Sequence, residues 1–142
     1  MHIPIRRLHP SVPLPAYATE GAAAFDLAAS EDTVIQPGEV ALVPTGLVVG
    51  VPAGMFLAIL ARSSTPLKRG LMVANGVGVV DSDYCGERDE VKIAVLNFQR
   101  TAVTVKVGDR IAQGLILAAP RVEWDETPTA ARPSRGGFGS TG

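Results

Sequence analysis

Apolar and polar positions along the chain alternate in short runs. "HIPIRRL", "AAAFDLAA", "TVIQ", "EVALVPTGLVVGVP", "MFLAILA", "LMVANGVGVV", "VKIAVLNF", "AVTVKV" and "RIAQGLILA" are short apolar runs, most of them rich in β-branched residues, that read as strands. Turn chemistry separates them at Pro37-Gly38, Pro44 to Gly46, Pro52 to Gly54 and Gly108-Asp109. No window carries a long apolar repeat of 3.6 residues, so the pattern predicts many short strands in a sandwich, barrel or jelly roll.

One stretch departs from this rhythm. "RSSTPLKRG", Arg62 to Gly70, offers Ser63 or Ser64 as a helix cap, Pro66 early and Gly70 as a terminator, which predicts one short helix directly after a strand. Beyond Leu117 the alternation stops. "AAPRVEWDETPTAARPSRGGFGSTG" reads as a strand-like exit through Val122 to Trp124, followed by a flexible C-terminal arm. The expected organisation is a single β domain over residues 1–124 and an arm over 125–142, with no internal repeat.

Composition agrees with one folded domain. The 142 residues are 46% apolar, and 15 Gly with 11 Pro suit a turn-rich globule rather than an unfolded chain. The formal charge of −1 gives no overall attraction to nucleic acid or to an anionic membrane, so an anionic ligand must be held by local charge. Cys85 is the only cysteine, which excludes an internal disulfide and is expected to be a buried or partly buried thiol. His2 and His9 lack zinc-ligand spacing. The longest apolar stretch, Val51 to Ala61, contains Pro52 and Gly54 and is shorter than a membrane span, and the N-terminus lacks a signal-peptide core. A cytoplasmic, soluble protein is expected.

Four stretches carry candidate chemistry. In "GVVDSDYCGE" an apolar run expected to be buried on both faces ends in acids, and Ser82-Asp83 and Cys85-Gly86 can turn the chain; Asp81 is either an ordinary turn acid or a group delivered to a cleft. "RSST" gathers backbone N–H groups, two hydroxyls and the Arg62 cation where a strand becomes a helix, which suits a phosphate as well as it suits a plain cap. In "GDRIAQ", Arg110 and Gln113 are three apart, so regular alternation sends them to opposite faces; Arg110 faces a cleft or pairs with a buried acid such as Asp26. The tail "RGGFGSTG" sets a lone Phe138 among glycines and hydroxyls, which is either a loose end or a backbone able to close over phosphates.

Taken in order, "AAAFDLAA", "RSSTPLKRGL", "NGVGVVDSDYCGE", "GDRIAQGLIL" and "RGGFGSTG" resemble the five motifs of the trimeric dUTPases across residues 22 to 142. The resemblance implies an all-β fold, a distorted jelly-roll β-barrel with one short helix, assembled as a homotrimer whose active sites are shared between subunits. It implies hydrolysis of dUTP to dUMP and pyrophosphate with Mg2+ held mainly by substrate phosphates and water. Such an activity limits uracil incorporation into DNA and supplies dUMP for dTMP synthesis.

Carried over by position, Asp81 matches the base that activates water for attack on the α-phosphorus. Tyr84 matches the ring packed beneath deoxyribose, Asn75 the amide that reads uracil with backbone groups at Val79 and Val80 in a hairpin pocket, and Lys92 a residue bordering that pocket. Arg62, Ser63, Ser64 and Gln113 match phosphate contacts, with Ser64 standing where many relatives have glycine. Asp26 and Arg110 match supporting positions. In the arm, Phe138 matches the ring that stacks on uracil. The arginine register departs from the usual one, Pro133 standing at its position between Arg132 and Arg135, of which Arg135 adjoins the glycines. "RDE" after Glu87 is a further departure, expected to alter a surface loop only.

Two other readings remain. A dCTP deaminase, or a bifunctional deaminase and dUTPase, shares the fold and a two-serine motif but lacks "DSDY"; ammonia release from dCTP separates it. A non-catalytic trimeric nucleotide-binding protein would bind dUTP without releasing pyrophosphate.

Overall fold

The computed structural model describes residues 1–137 and is almost entirely β. Twelve strands and one helix follow in chain order: β1 (Ile5–Arg7), β2 (Ala16–Tyr17), β3 (Phe25–Ala28), β4 (Thr33–Ile35), β5 (Val40–Pro44), β6 (Leu47–Val49), β7 (Met55–Ala61), α1 (Ser64–Arg69), β8 (Leu71–Val73), β9 (Gly78–Val80), β10 (Lys92–Asn97), β11 (Val103–Val105) and β12 (Arg110–Ala118). The strands form a five-stranded sheet ordered β2-β3-β12-β7-β9, a three-stranded sheet β5-β10-β8, and the pairs β1-β6 and β11-β4. All pairings are antiparallel, a jelly-roll arrangement whose barrel is not closed.

The core sits between these sheets. Inward positions of the strands other than β1 and β2 supply it, among them Leu27, Ile35, Val43, Leu57, Leu71, Ile93, Val95, Val105 and Ile111, all fully buried. Alternation is clearest in β10, where Ile93, Val95 and Asn97 point inward. Burying an amide is costly unless each of its polar atoms finds a partner. Asn97 meets that requirement: its Nδ2 donates to the carbonyls of Ile35 and Thr101, both at 2.9 Å, and its Oδ1 accepts from the Gln99 amide at 2.8 Å.

Several sequence expectations are met in detail, and "MFLAILA" and "RIAQGLILA" are strands over their whole length. Gly70 ends α1 in the left-handed conformation, φ 61° and ψ 30°, which glycine adopts without steric cost. Others are corrected. Ser63 occupies the cap position but has αR dihedrals and makes no side-chain cap hydrogen bond. The hydroxyl that fixes the start of α1 is instead that of Thr65, buried and donating to the Ile111 carbonyl at 2.7 Å. Val122 to Trp124 form no strand. The last strand stops at Ala118, and Trp124 is 92% exposed. The two-residue strand β2 lacked enough alternation to be seen in the sequence.

Candidate active site

Apart from those of the C-terminal arm, the residues singled out above fall into two groups beside β7, one at its C-terminal end and one along its middle and toward its N-terminal end. At its C-terminal end Asp26, on β3, lies between two guanidinium groups: Arg62 Nε at 2.8 Å and Arg110 Nη1 at 3.0 Å. The Asp26 side chain is 13% exposed, and Arg62 also donates to the Arg110 carbonyl at 3.1 Å. Of the two options that the sequence leaves for Arg110, a cleft or a buried acid, the structure shows the pairing with Asp26, and it adds Arg62 as a second partner that the sequence does not suggest. Gln113 donates from Nε2 to the Ala61 carbonyl at 3.0 Å, so its amide is drawn toward the same strand end.

Gln113 and Arg110 therefore do not diverge as regular alternation requires. The register of β12 against β3 shifts between Arg110 and Ala112, Arg110 lying opposite Ala28 and Ala112 opposite Leu27. An extra residue at a bulge resets the period of two, and here it turns both Ile111 and Ala112 into the core. Arg110 and Gln113 are left on the face that also carries Asp26, whose cross-strand partner is Gln113. Behind this cluster Arg69 pairs with Asp109 at 2.6 Å; the Arg69 hydrogen bond holds the Asp109 carboxyl below its ordinary value, against a smaller desolvation effect.

Along the middle of β7, β9 runs antiparallel with Val80 opposite Leu57 and Gly78 opposite Ile59, so that Asp81, next in the chain, lies toward the N-terminal end of β7. The expectation that "VGVV" is buried on both faces fails. β9 is the edge strand of its sheet, so Val79 is 59% exposed. Strands β8 and β9 do not pair with one another either; they belong to different sheets, and the turn through Asn75 and Gly76 carries the chain between them. Asn75, Val79, Val80 and Lys92 nevertheless line one small cavity of about 100 Å3, together with Ile59, Val73, Gly78 and Ala94.

A neighbouring cavity of about 260 Å3 shares Val79, Val80 and Lys92 and adds Asp81, Tyr84 and Glu90. Asp81 also borders a wider cleft of about 860 Å3 with Phe56, Ser82, Asp83 and Arg121. Asp81 is exposed, follows directly on β9, and accepts the Tyr84 amide on its carbonyl at 3.2 Å, closing the turn that presents the ring. Among the described residues its carboxylate makes no salt bridge. Cys85 is exposed rather than buried, because the turn that follows Tyr84 leaves the sheet. Arg121 and Glu90 were missed by sequence reasoning. Arg121 follows the last strand with no motif to flag it, whereas the acid in "DEVK", immediately before a buried strand, was a usable signal for Glu90.

The two ends are well separated. Arg62 follows Ala61 and Asp81 stands beside the start of β7, so about six residues of extended strand, roughly 20 Å, lie between them. Ser63 and Ser64 stay with Arg62 at the start of α1. Arg132 and Arg135 are exposed and line none of the cavities around Asp81, and Phe138 lies outside the described residues.

A nearly all-β fold with two separated clusters of polar site residues defines the class, and comparison with known proteins supplies the family. The dUTPase family model matches residues 11–142. A deoxyuridine 5'-triphosphate nucleotidohydrolase of Helicobacter pylori strain J99 is 41% identical over 144 residues, covering 100% of this chain and 97% of that protein. The crystal structure of a dUTPase from Streptococcus mutans superposes with a TM-score of 0.74 at 33% identity, covering 78% of this chain and 89% of that one. The fold alone is also shared with the dUTPase of Staphylococcus bacteriophage 80alpha, solved with dUPNHPP: TM-score 0.87, 21% identity, 99% of this chain and 98% of that one. The chain belongs to the dUTPase family.

Proposed function

We propose that this protein hydrolyses dUTP to dUMP and pyrophosphate, in active sites that each draw on more than one copy of the chain. The observation that carries this reading is the clustering of Asn75, Val79, Val80 and Lys92 around one small cavity that continues to Tyr84 and Asp81. The cavity has the size for a base, an amide and an ammonium at its border, and an aromatic ring and a carboxylate at its mouth. A polar edge reader such as Asn75 discriminates strongly because a mismatched base leaves buried groups unpaired. The Tyr84 ring under the sugar excludes a 2′-hydroxyl by contact.

Asp81 is the general base. Its backbone is set by the end of β9, which limits the positional error of the carboxylate, and in-line attack tolerates little error. Water loses a proton to Asp81 as its oxygen bonds to the α-phosphorus; the bond from that phosphorus to the bridging oxygen breaks, and pyrophosphate departs. Arg62, Ser63, Ser64 and Gln113 hold phosphate oxygens, and Asp26 with Arg110 keeps the Arg62 guanidinium in place. The roughly 20 Å between Arg62 and Asp81 in one chain supports sharing: a triphosphate bound at one end of β7 in one copy meets the base of another, as in a homotrimer.

The described residues include no group of three or more His, Cys, Asp or Glu able to cage a metal. Magnesium fits such a site because it retains waters and is carried largely by substrate phosphates. When bound there it neutralises the charge that develops on the leaving pyrophosphate. Residues 125–142 act as an arm over the bound nucleotide, Arg135 reaching the γ-phosphate and Phe138 stacking on uracil. No helix among the described residues is long and apolar enough to cross a membrane, in keeping with a nucleotide-pool enzyme of the cytoplasm.

Pyrophosphate release from dUTP in the presence of magnesium tests the proposal. A chain that binds dUTP and releases none is a binding protein, and one that releases ammonia from dCTP is a deaminase.

A further inference from the structure

The residues Arg88 to Glu90, which lengthen the path from the Tyr84 turn to β10, do more than extend a surface loop. The Glu90 side chain is tucked in, 17% exposed. Its Oε1 accepts the Gly46 amide at 2.7 Å, and Lys92 Nζ lies 3.7 Å from Oε2. Its main-chain carbonyl accepts the Tyr84 hydroxyl at 3.2 Å. A single residue therefore touches the β5–β6 turn, a cavity-lining cation and the aromatic ring.

The anchor at Gly46 is rigid. Gly46 has φ +67°, and a Cβ there would come within 2.6 Å of Val12 Cγ2, so the turn is packed and has room only for glycine. On either side of it, Thr45 Oγ1 donates to the Val91 carbonyl at 2.6 Å and the Val91 amide donates to the Leu47 carbonyl at 2.8 Å, all three residues being buried. Tyr84, by contrast, is 42% exposed, and its only other hydrogen bond among the described residues is its amide to the Asp81 carbonyl. The free end of the ring is thus referred to the core through Glu90. A carboxylate accepting a backbone N–H is a charge-assisted bond, stronger than a neutral one.

We propose that Glu90 is a positioning residue for Tyr84 and, through it, a determinant of discrimination between deoxyribo- and ribonucleotides. The inference rests on the dUTPase reading above. Steric exclusion of one hydroxyl works only while the ring cannot retreat, and the Gly46–Glu90–Tyr84 clasp opposes that retreat.

The test is the ratio of kcat/KM for dUTP to that for UTP. Glu90→Ala lowers the ratio by about tenfold, since small displacements of a positioned group carry costs of this order. Glu90→Gln, which keeps an oxygen for the Gly46 amide, restores most of it. Tyr84→Phe cuts the clasp from the other side, lowers the ratio, and leaves little further effect for Glu90→Ala. An unchanged ratio in folded Glu90→Ala overturns the proposal, as does an equal loss for both substrates, the mark of a purely structural role. Should Glu90→Ala not fold, a wild-type ratio in Tyr84→Phe overturns it. Failure of the underlying reading shows separately, as a wild-type protein that releases no pyrophosphate from dUTP. The clasp is then read by hydrogen exchange of amides 82–90 in the free protein: faster exchange in Glu90→Ala supports it, and identical exchange refutes it.

Discussion

The two ends of β7 are built in opposite ways. At the C-terminal end, charges are mutually satisfied: Asp26 is shared between Arg62 and Arg110, and Asp109 is held by Arg69. At the N-terminal end Asp81 has no ion partner among the described residues and stands exposed where an edge strand stops. A paired, half-buried cluster is pre-organised and costs little to keep in place, which suits groups that must hold a polyanion. An acid that has to accept a proton gains nothing from a salt bridge, because a cation beside it would lower its basicity. Under the proposed function, the paired end would hold phosphate, and the other would combine nucleoside recognition with the general base.

The sharpest way to break this contrast is at Asp81. Asp81→Asn is expected to retain nucleotide affinity while kcat falls by roughly 10^2 to 10^4, the usual contribution of a general base. Steady-state turnover alongside a direct binding measurement checks it, and undiminished turnover would remove Asp81 from the role. A smaller loss is expected when the chain ends before Arg135: assembly and fold persist, as size-exclusion chromatography and circular dichroism would show, while catalysis is poor. Activity equal to the full chain would count against closure by the arm.

At the other end, Asp26→Ala leaves two guanidinium groups facing each other without their shared carboxylate. A loss of about 1–3 kcal/mol in stability is expected for this partly exposed network, with a raised KM for dUTP and a smaller change in kcat. A kcat effect as large as that of Asp81→Asn would erase the distinction between the ends. The weakest effect belongs to Asp109. Its carboxyl is held below the ordinary 3.8 by Arg69, so the pair contributes stability above that pH and the contribution is lost as pH falls through the lowered value. Asp109→Asn is therefore expected to be less stable than wild type by at most about 1 kcal/mol at neutral pH, the difference closing in acid. Urea titrations at several pH values would detect it, and a difference that grows in acid would contradict the assignment.

Much of this was legible before the fold was known. Strands such as β7 and β12 carry their own boundaries, being apolar runs closed by glycine, proline or charged residues, and α1 announces its end with Gly70. The pairing of Asp26 with Arg110 was foreseen as one of two options for that arginine. The exposure of Val79 and Cys85 was not legible, since an edge strand and a central one can share the same apolar sequence. The bulge at Ile111 was equally hidden: alternation assumes a continuous ladder, and nothing local to "GDRIAQ" says that a residue will be inserted into it. Glu90 looked like part of a surface loop because its partner Gly46 is 44 residues away.

What the sequence determined by itself was the alphabet of elements, the single helix and the residue types gathered in each motif, because these depend on local dihedral preference and on the period with which apolar side chains recur. What only the tertiary structure decided was which strand lies at an edge, on which face Arg110 and Gln113 emerge, and how far Arg62 stands from Asp81. Those are properties of pairing between distant segments, where the free energy is set by the partner strand and not by the residues that a local reading can see.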